Sequence, residues 1–401
     1  MTKILHISNV VNKGGGGVSK VVNKLFSMQS ESGLRASLWF WGNKADEEEI
    51  LGKKDFQKLN ILAVNKNILS FFKAAFLLFK NKGNDLVVHQ HGIFLPISIL
   101  SIISTRNAKT IINPHGYLEP EKMKVSSFKK RIVLALYERR NLRKSKCLVA
   151  CSKKEAISLR EFGLKQPIAI VPNGIDANFI AHSLDNKKEI KNIFREKNNI
   201  DTDKKILLFL SRIHPFKGLE VFLKSIFIIR DDFRKNNWIF MIAGTDELNH
   251  EAELKDFVKE KEIQDIVMFV GPKFGKNKEE ILDSADCFVL PSKGENFGIV
   301  VTEAMARGLP VITTKSTPWT ALNQNNCGWY IERDEKEFIL TLKELFVTED
   351  SKLLEMGKNG VRLVKNEYTW EKINSQFQNI YKWVRNDFEE KYKNGFELYK
   401  E

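Results

Sequence analysis

The chain has 401 residues and only four cysteines, Cys147, Cys151, Cys287 and Cys327, with no CxxC pair and no metal-ligand spacing among them. A disulfide scaffold and a zinc module are thereby excluded. Cys147, Cys151 and Cys287 lie in or beside apolar strand patterns, where cysteine behaves as a small buried hydrophobe. Long hydrophobic runs are also missing. The longest, Ile93 to Ile103, is broken by Pro96 and two serines, well short of the roughly 20 residues that span a bilayer. Nor is there a secretory leader pattern: Met1-Thr2-Lys3-Ile4-Leu5-His6-Ile7-Ser8 runs straight into a strand, so a cytoplasmic protein is expected. The glycine loop Gly14-Gly15-Gly16-Gly17-Val18-Ser19-Lys20 is not a P-loop, because no Gly-Lys-Ser/Thr closes it. It misses the GxGxxG fingerprint at Ser19, and no acid follows Trp41 to hold a dinucleotide ribose. Short repeats and low-complexity segments are absent.

What is present is an ample apolar fraction, 43%, and a formal charge of +14. Length alone implies two or three domains. Much of the charge is local, in twelve Lys and Arg residues from Lys122 to Lys154. That segment reads either as a solvated helix face or as a surface for anionic lipid head groups or a phosphate-bearing acceptor. Nucleic acid fits less well, because the aromatics are scattered through apolar patterns and do not alternate with the basic residues.

Strand-like runs at 3–8, 36–41, 61–64, 86–90, 110–113, 148–151 and 168–171 alternate with helical periodicity, which predicts parallel βαβ units in a doubly wound sheet. The turn-rich Pro172-Asn173-Gly174-Ile175-Asp176 then separates a second series at 206–210, 238–243, 267–270, 287–290, 311–313 and 329–331. Two α/β domains follow, 1–172 and 173–369, with a ligand cleft expected at the carboxyl ends of their strands. Residues 337–381 read as successive helices and the last residues as frayed. The lysine-rich 186–199 reads as an exposed helix or loop.

The richest stretch is Ser292-Lys293-Gly294-Glu295-Asn296-Phe297-Gly298-Ile299-Val300-Val301-Thr302-Glu303. It follows a buried strand and opens a helix, so free N–H groups at a helix start stand between two carboxylates. Amides for phosphate and carboxylates for hydroxyls suit a nucleotide sugar. Arg212 and Lys217 follow the first strand of the second domain, where two cations can neutralise a diphosphate leaving group. Read alone they are more readily a pair of solvated surface cations. His91-Gly92 and His115-Gly116 follow consecutive strands of the first domain. A histidine there can bind substrate hydroxyls or phosphate, or be satisfied by nearby backbone; for His115 the polar run Asn113-Pro114-His115-Gly116-Tyr117-Leu118-Glu119-Pro120 favours the first. Asp201-Thr202-Asp203 matches the DxD spacing of metal-dependent transferases, but it precedes a strand and reads as an exposed turn.

Together these motifs resemble the retaining glycosyltransferases of the GT-B fold, in the family 4 group. The resemblance rests on Glu295-x7-Glu303 with Asn296 to Val300 inside it, Ser211-Arg212 with Lys217-Gly218, Val171 to Asp176, and the glycine loop. His89-Gln90-His91-Gly92, Pro114 to Pro120 and Thr317-Pro318-Trp319 make it similar to enzymes of bacterial surface polysaccharide assembly (lipopolysaccharide, capsule or exopolysaccharide). It implies two Rossmann-like domains across a cleft, with a last helix at about 370–390 packing back on the first domain. It further implies Arg212 and Lys217 on the donor diphosphate, Glu295 on sugar hydroxyls and Glu303 on the ribose. Gly15, Gly16 and the amides of Asn296, Phe297, Gly298, Ile299 and Val300 would lie at phosphates or sugar, and His115 beside the transferred sugar. No metal and no cofactor are implied, only a UDP- or GDP-sugar donor and a lipid-linked or oligosaccharide acceptor. The lysine-rich 273–278, near the expected base site, leaves the nucleotide open. A GT-B-fold epimerase and a non-catalytic nucleotide-sugar-binding protein are the alternatives, and attachment to the inner face of the cytoplasmic membrane stays open.

Overall fold

The computed structural model describes residues 3–8, 11, 16–42, 46, 60–64, 68–80, 85–105, 108–124, 126–181 and 187–400. The chain divides into two compact units, Met1–Gly174 with Trp370–Glu401, and Ile175–Thr369. Gly15 and the preceding glycine lie outside the described residues, whereas Gly16 opens the helix Gly16–Glu31.

Unit 1 holds β1 (Lys3–Ser8), β2 (Arg35–Trp41), β3 (Asn60–Val64), β4 (Leu86–His91), β5 (Lys109–Asn113), β6 (Cys147–Ala150) and β7 (Ile168–Ile170). Unit 2 holds β8 (Lys205–Leu210), β9 (Trp238–Ala243), β10 (Val267–Phe269), β11 (Cys287–Leu290), β12 (Val311–Thr314) and β13 (Gly328–Ile331). A short β14, Glu397–Leu398, returns to unit 1. The sheet orders are β14-β7-β6-β5-β4-β1-β2-β3 and β10-β9-β8-β11-β12-β13. The order reverses between β1 and β4 in one sheet and between β8 and β11 in the other. These are the switch points at which open α/β sheets bind ligands beyond the strand carboxyl ends.

Period-two alternation assigns the two faces of the unit 1 sheet. Leu5, Ile7, Trp39 and Val88 pack with Ala74, Leu78, Ile97 and Leu100. Leu38 and Phe40 pack on the opposite face with Val22 and Phe26 of the Gly16–Glu31 helix. His6 pairs with Leu38 and His89 in register, so His6, His89 and His91 share the face of that helix. Three imidazoles thus occupy positions where the strand pattern calls for hydrocarbon.

Two expectations need correction. The chain end is not frayed: β14 pairs antiparallel with β7, Glu397 opposite Ile170 and Leu398 opposite Ala169. It covers an otherwise open sheet edge, and Phe388 and Phe396 pack on Trp383 to hold it there. The lysine-rich 186–199 is not simply exposed. It forms the helix Lys187–Lys197, with Phe194 and Arg195 buried and the Arg195 guanidinium 2.8 Å from Asp286.

Candidate functional site

In unit 2 the switch point is built by two loops that bind each other. After β8, the turn Pro215–Lys217 is capped by the His214 Nδ1, which accepts from the Phe216 N–H at 3.0 Å. Gly218 closes the turn at φ 76°, where a Cβ would stand 2.1 Å from the Pro291 carbonyl oxygen. Only glycine fits both the conformation and the space. After β11, the Lys293 N–H donates to the Phe216 carbonyl at 2.9 Å, and the Thr314 hydroxyl donates to that of Ser292 at 2.7 Å. The Trp319 indole donates to the Phe297 carbonyl at 2.6 Å, with the two rings in contact. This bracing sets Gly298, at φ 79°, as the start of the helix Ile299–Ala306, which no side chain caps. An uncapped helix start has amide donors to offer an anion.

The charged side chains sit in ion pairs. Lys217 Nζ lies 2.5 Å from Glu295 Oε1, with both side chains largely buried. Lys278 Nζ pairs with Glu303 Oε2, also largely buried. Arg212 is exposed and places one guanidinium nitrogen 2.9 Å from each Glu247 oxygen. The expected set therefore comes together in part. Lys217, Glu295 and the 292–298 loop form one constellation, whereas Arg212 is turned to Glu247 and Glu303 to Lys278. Glu247 was missed by sequence reasoning, and Lys278 was noticed only as part of a lysine-rich stretch. Asp201-Thr202-Asp203 is an exposed turn, with Asp203 accepting from Asn237 at 2.9 Å.

The unit 1 switch point is lined by four imidazoles, with Lys122 as a charged neighbour of His115. His115 Nε2 lies 3.3 Å from His91 Nδ1, and His91 Nε2 lies 2.9 Å from His6 Nδ1. His6 Nε2 reaches Gln29 Oε1 at 2.9 Å. The Gln29 amide donates to the Tyr381 hydroxyl at 3.2 Å, and that hydroxyl lies 2.8 Å from His89 Nδ1. Burial pulls the His6 pKa down to about 4 and that of His115 to about 3, and holds His89 and His91 well below the usual range. All four rings are neutral at neutral pH. His6, His89 and His91 each offer one ring nitrogen within 4.8 Å of the others, a donor set of the kind that suits borderline divalent metals. Both ring nitrogens of His6 and both of His91 are already in hydrogen bonds, so a metal there would displace at least one of them.

His115 adopts φ 54°, and its N–H donates to Asn113 Oδ1 at 3.1 Å. The next N–H, of Gly116, donates to Glu155 Oε1; Glu155 Oε2 accepts from the Cys151 N–H at 2.7 Å. Burial pushes the Glu155 pKa up to about 7. This carboxylate, unrecognised from sequence, ties the His115-Gly116 turn to the end of β6. Its signal was present in Ser152-Lys153-Lys154-Glu155, a capping-box spacing in which Ser152 Oγ accepts from the Glu155 N–H. Glu138 does the same for the loop after β4. It lies in the π-helical turn Leu134–Glu138 and accepts from the Phe94 N–H at 2.9 Å.

Residues 15–179 match the family described as Glycosyltransferase Family 4, and residues 190–362 match Glycosyl transferases group 1. The chain is 25% identical over 341 residues to the Escherichia coli UDP-Gal:alpha-D-GlcNAc-diphosphoundecaprenol alpha-1,3-galactosyltransferase, covering 81% of each protein. It is 27% identical over 210 residues to the lipopolysaccharide core biosynthesis mannosyltransferase LpsB of Rhizobium meliloti, 51% of this chain and 57% of that one. For several curated relatives the match spans only about half of their length. Among solved structures, Anabaena HepE in complex with UDP superposes with a TM-score of 0.76 at 16% identity, over 94% of this chain and 99% of that one. With two family matches end to end and this fold, the chain belongs to the GT-B glycosyltransferases of the family 4, group 1 type.

Proposed function

We propose that the protein moves a hexose from a nucleotide-diphosphate sugar to a lipid-linked or oligosaccharide acceptor in bacterial surface polysaccharide synthesis, with retention of anomeric configuration and without a catalytic metal. The Lys217–Glu295 pair carries this reading. A buried cation and a largely buried carboxylate hold each other. Donor binding exchanges that partnership, Lys217 taking the diphosphate and Glu295 the sugar hydroxyls. Such an exchange keeps both charges satisfied throughout, whereas an unpaired buried charge costs several kcal/mol. Arg212 leaves Glu247 to join Lys217 on the leaving group, so two side-chain cations do the work a metal does elsewhere. Glu303, steadied by Lys278, takes the ribose, and the amides of residues 296 to 300 face phosphate. A leaving phosphate oxygen that helps deprotonate the acceptor hydroxyl accounts for retention. His115, neutral, hydrogen-bonds a sugar hydroxyl. The galactosyltransferase relative named for UDP-Gal and the UDP complex of HepE support uridine over guanosine.

The test is thermal stabilisation and slow donor hydrolysis with UDP- and GDP-sugars, before and after Lys217→Ala and Glu295→Ala, with EDTA as a separate arm. Stabilisation by a UDP-sugar, lost in both variants and insensitive to EDTA, is expected. A wild type indifferent to every nucleotide sugar defeats the proposal.

Among the described residues, no helix is long and apolar enough to cross a membrane. Two helical stripes nonetheless expose hydrocarbon: Leu69, Phe72 and Phe76, and Phe128, Ile132 and Leu136. The second stripe is interleaved with exposed Lys129, Arg131, Arg139 and Arg140. Apolar side chains among cations support peripheral attachment to an anionic membrane, where a lipid-linked acceptor resides. Sedimentation with anionic but not neutral vesicles at low salt checks it.

A further inference from the structure

The chain of hydrogen bonds behind His115 has a direction, and one residue sets it. A carboxamide oxygen can only accept, so with Gln29 Oε1 at 2.9 Å the proton of neutral His6 lies on Nε2. His6 Nδ1 is then a lone pair, and the 2.9 Å contact to His91 Nε2 needs a proton on the latter. His91 Nδ1 is a lone pair in turn, so His115 Nε2 carries the proton across their 3.3 Å contact. What remains on His115 is the Nδ1 lone pair, 3.9 Å from the Cys151 sulfur, a weak partner that a substrate hydroxyl can displace. On the other side of Gln29, its NH₂ donates to Tyr381, whose hydroxyl must then donate to His89 Nδ1. His89 keeps its proton on Nε2, a buried atom with no hydrogen-bond partner among the described residues. All four imidazoles therefore share one tautomer. Turning the Gln29 amide over would reverse every proton in the row.

We propose that Gln29 and Tyr381 are positioning residues for the transfer reaction: with the Gln29 Oε1 on His6 and its NH₂ on the Tyr381 hydroxyl, the row relayed through His6 and His91 gives His115 a proton on Nε2 and an accepting lone pair on Nδ1. A hydroxyl that donates to Nδ1 is oriented by it, whereas the opposite tautomer presents an N–H and orients the hydroxyl the other way round. Gln29 comes from the Gly16–Glu31 helix and Tyr381 from the helix Trp370–Arg385, and both are completely or almost completely buried. No substrate touches them in this reading; they act only through the row. The inference rests on the proposed substrate contact of His115, and its first readout needs no substrate.

The test uses the full chain labelled with ¹⁵N-histidine, in which protonated and unprotonated ring nitrogens resolve by NMR. In the wild type, His6, His89, His91 and His115 are expected all to carry the proton on Nε2. Gln29→Leu, which keeps the bulk and removes both polar atoms, should bring Nδ1–H signal at His115. Tyr381→Phe keeps the ring packing against His89 and Phe377 and removes only the hydroxyl, so it should have a smaller effect in the same direction. In a transferase assay, kcat of Gln29→Leu should fall about tenfold with KM within about twofold, the pattern of a lost transition-state interaction. Thermal midpoints near the wild type in Tyr381→Phe separate this from a loss of folding. A wild-type His115 with its proton on Nδ1 overturns the proposal, as does a His115 tautomer unmoved by Gln29→Leu. A stoichiometric transition metal retained through dialysis, with shifted His6, His89 and His91 signals, also overturns it, because the metal would break at least one hydrogen bond of the row. If the tautomers behave as expected but His115→Ala leaves kcat unchanged, the substrate role of His115 falls and the positioning role with it.

Discussion

The two sheets reverse their strand order in the same way, yet the loops at the two reversals carry opposite chemistry. In unit 2 the groups are charged, Lys217 with Glu295 and Lys278 with Glu303, each cation held by a carboxylate. In unit 1 the groups are imidazoles kept neutral by burial, joined in a row with Gln29 and Tyr381. The first arrangement stores charge that a diphosphate can claim. The second stores orientation, because a neutral ring has one proton and its neighbours decide which nitrogen bears it. A shared topology supplies the location, and the side chains decide whether that location presents paired charge or oriented neutral rings.

The comparison breaks most visibly if charge is removed from unit 2. Lys217→Ala should lower kcat by about a hundredfold to a thousandfold, the usual loss for one electrostatic contact to developing charge. Glu295 is then left without its partner, so Lys217→Ala with Glu295→Ala should be more stable than Lys217→Ala alone, as thermal unfolding would show. Equal activity of variant and wild type would mean that the diphosphate is neutralised elsewhere.

Next in size is Gly218→Ala. The new Cβ meets the Pro291 carbonyl oxygen in a left-handed conformation, and a loss of about 2–4 kcal/mol is expected. Denaturant unfolding measures it, and nucleotide-sugar binding should weaken with it because Lys217 belongs to the same turn. A stability within about 0.5 kcal/mol of wild type would show that the two loops are not rigidly braced.

Unit 1 should reveal itself through pH. Its histidines stay neutral when folded but titrate near 6.5 when unfolded. Below pH 6.5 the unfolded chain binds more protons, so stability falls as pH drops, by up to about 1.4 kcal/mol per pH unit for each histidine. For His6 the loss continues to about pH 4 and for His115 to about pH 3. Glu155 opposes this: with a folded pKa of about 7 against 4.5, it favours the folded state less as pH rises through that window. Glu138 is raised in the same direction. Four imidazoles outnumber two carboxyls, so the contribution of these groups to stability should rise from pH 4.5 to 6.5. Denaturant midpoints across that range check the sign, and Gln29→Leu, which leaves the rings buried, should keep most of the slope.

The smallest expected effect is at the surface. Phe128→Ser should weaken vesicle sedimentation severalfold and leave stability within about 0.5 kcal/mol, since Phe128 is 75% exposed. Unchanged sedimentation would remove that stripe from the membrane reading.

The strands of both sheets were legible because each is a short apolar run bounded by turn residues. Their observed ends differ from the expected ones by a residue or so. β14 was not legible: two residues in a charged tail carry no periodicity, and what holds them is Trp383 with Phe388 and Phe396. The candidate site was legible as residue types but not as pairs. Lys217 and Glu295 are 78 positions apart, and Gln29 and Tyr381 are 352 apart, distances that only the folded sheet closes. His6 offered a local signal, a polar residue between Leu5 and Ile7 in an otherwise apolar strand. Alone, that does not distinguish a satisfied core histidine from the middle of a row.

The most direct measurement is calorimetric titration of UDP and a UDP-sugar into the wild type, Lys217→Ala and Gln29→Leu. Saturable one-site binding is predicted for the wild type, lost or weakened at least about tenfold in Lys217→Ala and preserved in Gln29→Leu. Binding that survives Lys217→Ala, or that vanishes in Gln29→Leu with the fold intact, would contradict the division of charge and orientation between the two switch points.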